Sequence, residues 1–454
     1  MSAPLLWIFV PLAGSLLVYL FRNISPAFRW ILFGLTLLLF ISALVVRTFP
    51  SGAISSNLSI VSDINVLGRV LSISENIRPL VAILFAFTVL WGLFSLISSE
   101  NIIHPALRLA GTALLIASLA VKPTLYAALM VEAAIITFIL LLLLSSNGNM
   151  RGTRLLLALS SIAMPLFLLI GWQLTGGNIA PVDDNQLQIA VNVISFSFML
   201  WLGIFPFNAW LSMISREHSP LDVTFFFTIF STSILLLFMQ SLYAFSWFKQ
   251  FPSVMPSIRL LGLIMLIVNS LPLAVNPFKR ESMGRWSGFS IGLILLSIGI
   301  NTTESIRMAV YVLITRGVAL YGLGDYFSQN PKYPDAQTWV SIPALDWFEH
   351  VISVGGLVGI PLFSVFPVLF LLPSLLNSID PLLSWTFLFA IGFAWIAWGK
   401  IVGSVPDFKI NTTYTWQRGL TVLPVIVLLL LTALFPNIVL WFSEKIVSSF
   451  SILV

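Results

Sequence analysis

Long apolar stretches separated by short polar or basic turns run through the chain from one end to the other. A helix needs about 20 apolar residues to cross roughly 30 Å of hydrocarbon. Windows of that kind fall at 3–21, 28–46, 79–98, 105–121, 123–145, 155–174, 188–204, 222–246, 257–275, 285–301, 305–324, 350–375, 379–400 and 420–442. The pattern predicts an all-α polytopic membrane protein of about fourteen transmembrane helices, the windows at 105–121 and 285–301 being short. The segment NLSIVSDINVLGRVLSIS departs from it: its period-2 alternation predicts a β-hairpin between the second and third helices. The loop QNPKYPDAQTWVSIPALDWFEH is expected to hold a short interfacial stretch, and FSEKIVSSFSILV a short amphipathic helix.

Two windows contain breaks. Gly203-Ile204-Phe205-Pro206-Phe207 interrupts the seventh, and Gly359-Ile360-Pro361-Leu362-Phe363, with Pro367 beyond, interrupts the twelfth. Proline removes a backbone hydrogen bond, and the freed carbonyls are tolerated at membrane depth only where they face protein or a water-filled cavity. Interrupted helices at corresponding places in two halves are the sequence mark of an inverted-repeat transporter with its ion path at the breaks. Prolines at Pro165, Pro272 and Pro424 show that kinks also occur here without a partner.

Composition narrows the function. With 58% hydrophobic and 9% charged residues and a mean hydropathy of +1.02, the chain reads as an integral membrane protein. It has no cysteine, so it cannot build disulfides, iron–sulfur clusters or thiolate metal sites; it calls for no cofactor of its own, and any redox chemistry belongs to partners. The net charge of +5 gives no case for nucleic-acid binding. Basic residues collect, with a modest excess, in the loops that lie inside if the N-terminus lies outside, among them those read as holding Arg108, Arg151, Arg216, Arg280 and Arg418. That bias predicts a cell-membrane protein with both termini on the non-cytoplasmic side. The stretch SAPLLWIFVPLAGSLLVYLF, with no basic residue before it, is read as the first membrane helix. No catalytic set, phosphate loop, nucleotide fingerprint or metal site is found.

Five segments, in order, resemble a known family. ALMVEAAIITFILLLLL, GIFPFNAWLSMISREHSPLDVTFF, PFKRESMGRWSGFSIGLILLSIG, VYVLITRGVALYGLGDYF and GGLVGIPLFSVF are similar to helix 5, the helix 7–8 junction, the entrance to helix 10, helix 11 and broken helix 12 of the antiporter-like subunits of respiratory complex I, membrane-bound hydrogenases and multi-subunit Na+/H+ antiporters. The resemblance covers roughly residues 70 to 405. It implies two inverted five-helix repeats, helices 4–8 at 105–246 and helices 9–13 at 257–405, flanked by helices 1–3 at 1–104 and by helix 14 and a tail at 406–454. It also implies protons moving along a mid-membrane row of Glu, Lys and His, with sibling membrane-arm subunits and the bilayer as partners.

That row is incomplete here. Glu132 matches the family's helix 5 glutamate. Where the family places its helix 7 lysine, this chain has Leu200, Trp201, Leu202 and Gly203. Thr232 and Ser233 stand in the helix 8 lysine region, Ser290 near the helix 10 histidine, and Arg316 near the helix 11 basic position, while nothing ionisable follows the break in helix 12. Hydroxyls relay protons but store no charge, and arginine does not give its proton up. Lys400 is read as an interfacial anchor. Arg216, Glu217, His218 and Asp222 form a cytoplasmic mouth in which Asp222 pairs with Arg216 or His218, or else an ordinary polar loop. His104 is read as a loop residue, and His350 beside Glu349 is given no role. The implied function is a membrane-arm subunit of a complex I-like, redox-driven assembly with proton translocation reduced or lost; the alternative is a stand-alone secondary transporter whose substrate binds at the two breaks.

Overall fold

The structure, a computed structural model, describes residues 2–22, 28–50, 59–66, 68–97, 100–146, 148–174, 184–330, 344–404 and 416–449. A π turn at Leu5–Phe9 runs into α1 (Val10–Leu20), and α2 (Phe28–Val45) and α3 (Arg78–Ile97) follow. Next come α4 (Ile103–Ala120), α5 (Ala127–Leu144), α6 (Arg151–Leu174), α7 (Asp184–Leu202), the short α8 (Ala209–Glu217), α9 (Pro220–Ala244) and α10 (Ser246–Gln250). A second series comprises α11 (Val254–Val275), α12 (Ser282–Ile300), α13 (Thr303–Gln329), α14 (Ala344–Val358), α15 (Phe366–Asn377) and α16 (Pro381–Gly403). The chain closes with α17 (Trp416–Leu434) and α18 (Pro436–Ser449).

Among the described residues, 11 helices are long and apolar enough to cross a membrane, or up to 12 if the bent pair α17–α18 is one span. The expected fourteen windows all coincide with helices, but three are not single straight spans. The first helix is short at Leu5–Leu20, and the twelfth window is split between α14 and α15. The fourteenth is bent by 84° at Phe435, between α17 and α18, where Pro436 begins the second half. The interfacial stretch expected between helices 11 and 12 falls largely at 331–343, outside the described residues, as does the end of the tail beyond Ser449.

The expected hairpin is present and has neighbours that the alternation did not foretell. Strands β1 (Arg47–Phe49) and β2 (Ser59–Val61) pair in parallel. Strands β3 (Asp63–Val66) and β4 (Arg69–Ser72) pair antiparallel around Gly68, whose φ of 76° suits a tight hairpin turn. Strand β5 (Val121–Lys122), at the end of α4, adds to β4. This sheet marks one end of the bundle, the hairpin face; by the alternation of the helices, α4, α6, α9 and α12 all begin at the opposite, far face.

Packing has a clear axis. The apolar window of α9 is buried along its whole length, and α12 and α13 are nearly so, whereas only 22% of α2 is buried. A helix apolar all round is expected at the centre of a membrane bundle, with apolar outer helices left for lipid. Small residues let the inner helices approach: a Cβ added at Gly262 would sit 2.6 Å from the Leu296 amide, and one at Gly324 would collide with the Thr224 side chain on α9.

Candidate functional site

The two breaks end their first halves in the same way. At the end of α7, Gly203 takes a φ of 61°, its amide donates to the Leu200 carbonyl and that of Ile204 reaches back to the Met199 carbonyl at 2.9 Å. At the end of α14, Gly359 takes a φ of 71° and the Ile360 amide reaches the Gly355 carbonyl at 3.3 Å. A left-handed glycine with the next amide bonded five residues back is a Schellman end, which satisfies carbonyls that the broken helix would leave orphaned. Beyond each break the match continues, with Phe207 donating to Ile204 and Phe363 to Ile360. Pro206 and Pro361 lie within the two breaks, and Pro367 sits in the first turn of α15, so it starts a helix and does not interrupt one. Beside the first break a cavity of about 370 Å³, bounded by Met199, Leu202 and Ile204, Phe238, Ser257 and Leu261, has predominantly apolar walls.

The proposed mid-membrane residues are placed separately. Glu132 on α5 is almost buried; the Ser161 hydroxyl donates to its Oε1 at 3.0 Å, and its Oε2 meets no donor among the described residues. On α13, Arg316 is wholly buried and is held from α9 and α12: its Nη2 donates to the Ser231 hydroxyl at 2.8 Å, the Ser287 hydroxyl at 3.2 Å and the Phe227 carbonyl at 3.3 Å. No carboxylate among the described residues forms an ion pair with it. Thr232 and Ser233 are buried with unpartnered hydroxyls, and the Ser290 hydroxyl turns back to the Ser287 carbonyl. Lys400, near the end of α16, donates to the Ala274 and Val275 carbonyls at 2.6 and 3.2 Å. It therefore caps the C-terminus of α11, where a cation complements the helix dipole.

The charge density lies at the far face, in two clusters that sequence reasoning did not assemble. In the first, Asp222 does not pair with Arg216 or His218. Its Oδ1 accepts from Arg108 Nη2 at 2.6 Å, and its Oδ2 lies 3.0 Å from His104 Nδ1. Arg108 also donates to Glu100 at 2.6 Å and to the Ser95 hydroxyl at 3.0 Å. Arg108 and His104 are therefore residues of α4, not of a loop, and Arg108 is 2% exposed. The reason is steric and electrostatic: a guanidinium here is tolerated because Asp222, in the first turn of α9, meets it with a carboxylate. Glu100, His104 and Asp222 offer three ligand atoms within 4.8 Å of one another. The Arg108 guanidinium bridges both acids, so a cation would have to compete with it.

The remaining mouth residues anchor helix ends. Glu217 Oε2 accepts from the Gly152 amide at 2.9 Å, at the start of α6. His218 Nε2 lies 2.6 Å from the Thr153 hydroxyl, and burial holds the imidazole below its ordinary pKa, in the neutral form. Arg216 is exposed and reaches Glu281 at 3.5 Å.

In the second cluster Arg418, in the first turn of α17, donates from Nη1 to Asp325 Oδ2 at 2.6 Å, from Nε to Asp346 Oδ1 at 3.0 Å and from Nη2 to Glu349 Oε2 at 2.9 Å. His350, given no role by the sequence, stacks on Tyr326 at 4.1 Å. The clusters are linked through packing: Trp91 donates to the Leu221 carbonyl at 3.0 Å and meets Tyr321 edge-on at 5.0 Å. A basic residue read at a helix boundary and an acid at the start of another helix, Asp222 for the first cluster and Glu349 for the second, were the sequence signal.

No family model matches the chain. NADH-ubiquinone oxidoreductase chain 2 of Dictyostelium discoideum is 23% identical over 242 residues, 52% of this chain and 48% of that protein, so the chain spans about half the length of this curated relative in the match. Structural similarity extends over nearly the whole chain. A chain of the membrane-bound sulfane sulfur reductase, an archaeal respiratory membrane complex, superposes with a TM-score of 0.82 at 15% identity, covering 98% of this chain and 97% of that one. A chain of the Mrp complex from Dietzia sp. gives 0.80 at 13% identity, with 98% and 96% covered. A chain of respiratory complex I from Thermus thermophilus gives 0.80 at 15% identity, with 98% and 99% covered. The fold is that of membrane subunits of these complexes, as the five sequence segments implied.

Proposed function

We propose that this multi-pass membrane protein is a membrane-arm subunit of a redox-driven, complex I-like assembly, flanked by antiporter-like siblings, and that its own proton translocation is reduced or lost. The fold shared with chains of two respiratory complexes and of an Mrp complex supports the assembly. One observation carries the loss. Among the described residues, no lysine lies at mid-span: Lys400 caps α11, Lys122 donates to Ser72 by the hairpin, and the helix 7 position is filled by buried Leu200, Trp201 and Leu202.

A proton row works by passing charge between groups that can gain and lose it. Glu132 has a serine for a partner and no basic one among the described residues, and Arg316 keeps its charge and is held by hydroxyls and a carbonyl. In this reading the units 105–246 and 257–405 are inverted repeats. Each contains one Schellman-ended broken helix followed by a helix with proline in its first turn, at Pro220 and at Pro381. Five helices per unit reverse the second relative to the first. The basic-residue bias puts the far face, with both charge clusters, on the cytoplasmic side and both termini on the other.

Purification of the tagged chain from its native membrane under mild detergent, with mass spectrometry of what accompanies it, tests the assembly. Sibling antiporter-like subunits are expected. Recovery of the chain alone would remove this reading and favour a stand-alone transporter, for which the cavity beside Gly203 would be the substrate site despite its apolar walls.

A further inference from the structure

The second far-face cluster contains more acid than its one base can neutralise. Asp325, Asp346 and Glu349 surround the single guanidinium of Arg418, and Asp325 and Glu349 are fully buried. Fully ionised, the group would keep an excess of two negative charges in a largely buried site, which a low-dielectric interior does not sustain.

The oxygens show where the excess lies. Arg418 takes Asp325 Oδ2, Asp346 Oδ1 and Glu349 Oε2, and Asn330 Nδ2 donates to Asp346 Oδ2 at 3.4 Å. Asp325 Oδ1 and Glu349 Oε1 receive no donor among the described residues, and the two carboxyls are brought together on one guanidinium, through Nη1 at 2.6 Å and Nη2 at 2.9 Å. Two acceptors that meet this way need a proton between them, because adjacent carboxylates cannot both be ionised.

We propose that Asp325 and Glu349 form a proton-holding carboxyl pair at the far face, with Asp346 the ionised partner of Arg418. The pair lies outside the mid-membrane row that the family resemblance implies, and it does not depend on the function proposed above. The groups around it are Tyr321 and Tyr326 on its own helix, α13; Asp346 and His350 on α14; and Arg418 and Thr421 on α17. Asp222 with Arg108 lies beyond Tyr321 and Trp91. None of them supplies a second cation to the pair. Asp346 and Arg418 are slightly exposed, 7% and 12%, so the buried proton lies behind a rim that opens to the surface.

The test compares Glu349→Gln with Asp346→Asn in the full chain, using infrared spectra in the carboxylic C=O region and thermal unfolding with and without sodium. A glutamine reproduces a protonated glutamate, so Glu349→Gln should keep its Tm within about 3 °C of the parent while abolishing an H/D-sensitive carboxylic-acid band. Asp346→Asn, which removes an ionised partner, should lower Tm more and leave the band. If Glu349→Gln does not accumulate, loss of the band in Asp325→Asn supports the pair equally. Absence of the band in the parent, or equal loss of Tm in Glu349→Gln and Asp346→Asn, overturns the proposal: the cluster is then a fully ionised salt bridge. A sodium-dependent rise in Tm that Glu349→Gln abolishes also overturns it, in favour of a bound cation.

Discussion

Helix α13 carries two contrasting electrostatic environments. At its middle, Arg316 is wholly buried with hydroxyls and a carbonyl as its only acceptors among the described residues; near its far-face end, Asp325 shares one guanidinium with two other acids. Both sites are buried, so burial alone does not decide where charge is kept. The partners differ: Asp325 is met by Arg418 from α17, and no acid among the described residues meets Arg316. The end of the helix is built as an interlocked charge network, while at its middle a single guanidinium is held by hydroxyls and a carbonyl.

The largest test removes the keystone of the network. Arg418→Ala should destabilise the protein by about 3–5 kcal/mol, because the three acids gathered around it lose the base they share; thermal unfolding in detergent reads it, and a loss under 1 kcal/mol would reduce the network to surface-like pairing.

Next come the breaks that define the two halves. Alanine at either glycine must adopt a left-handed backbone, at about 1–2 kcal/mol. Gly203→Ala should be the worse of the two, since its Cβ would sit 2.8 Å from the rigid Trp210 ring, whereas at Gly359 the nearest atom, at 2.6 Å, is the Leu369 Cδ1, which can turn away. The reverse order would show that the first break has room to relax.

A smaller effect is expected at mid-helix. Arg316→Met should leave stability within about 1.5 kcal/mol of the parent, since it relieves a buried, unpaired charge while Ser231 keeps its bond to the Phe227 carbonyl. A loss matching that of Arg418→Ala would mean that Arg316 has a counter-charge after all.

The smallest effect concerns pH at His218. Burial lowers its pKa in the folded state, so the unfolded chain binds the proton first. The histidine's contribution to stability is therefore intact above the unfolded value, about 6.5, and is lost as pH falls below it, levelling off below the folded value. The slope stays under about 1.4 kcal/mol per pH unit. His218→Asn should remove that component from a Tm-against-pH curve; an unchanged curve would place the acid sensitivity elsewhere.

The spans, the hairpin and both breaks were legible because each is written in contiguous residues. An apolar run of sufficient length, a period-2 alternation and a Gly-Ile followed by proline need no knowledge of distant partners. The charge clusters were not legible for the opposite reason. Arg108 meets Asp222 across 114 positions and Arg418 meets Asp325 across 93, and in each case the base stood at the edge of a window, where basic residues ordinarily mark loops. Asp222 was correctly placed at a helix start but paired with its sequence neighbours; α8 and the turn at His218 point those neighbours to Glu281 and α6 instead. The missing helix 7 lysine could be read directly, as could the isolation of Glu132 from any basic residue nearby in sequence. The hydroxyl cradle of Arg316 could not, because it comes from α9 and α12.

The central claim is that this chain keeps the fold but not a working proton row of its own. Its most direct test is redox-driven proton pumping by the purified native assembly carrying Glu132→Gln, with assembly checked by subunit composition and electron transfer measured in parallel. The account predicts an unchanged ratio of protons moved to electrons transferred. A clear fall in that ratio at full electron transfer would place Glu132 in an active path and contradict it.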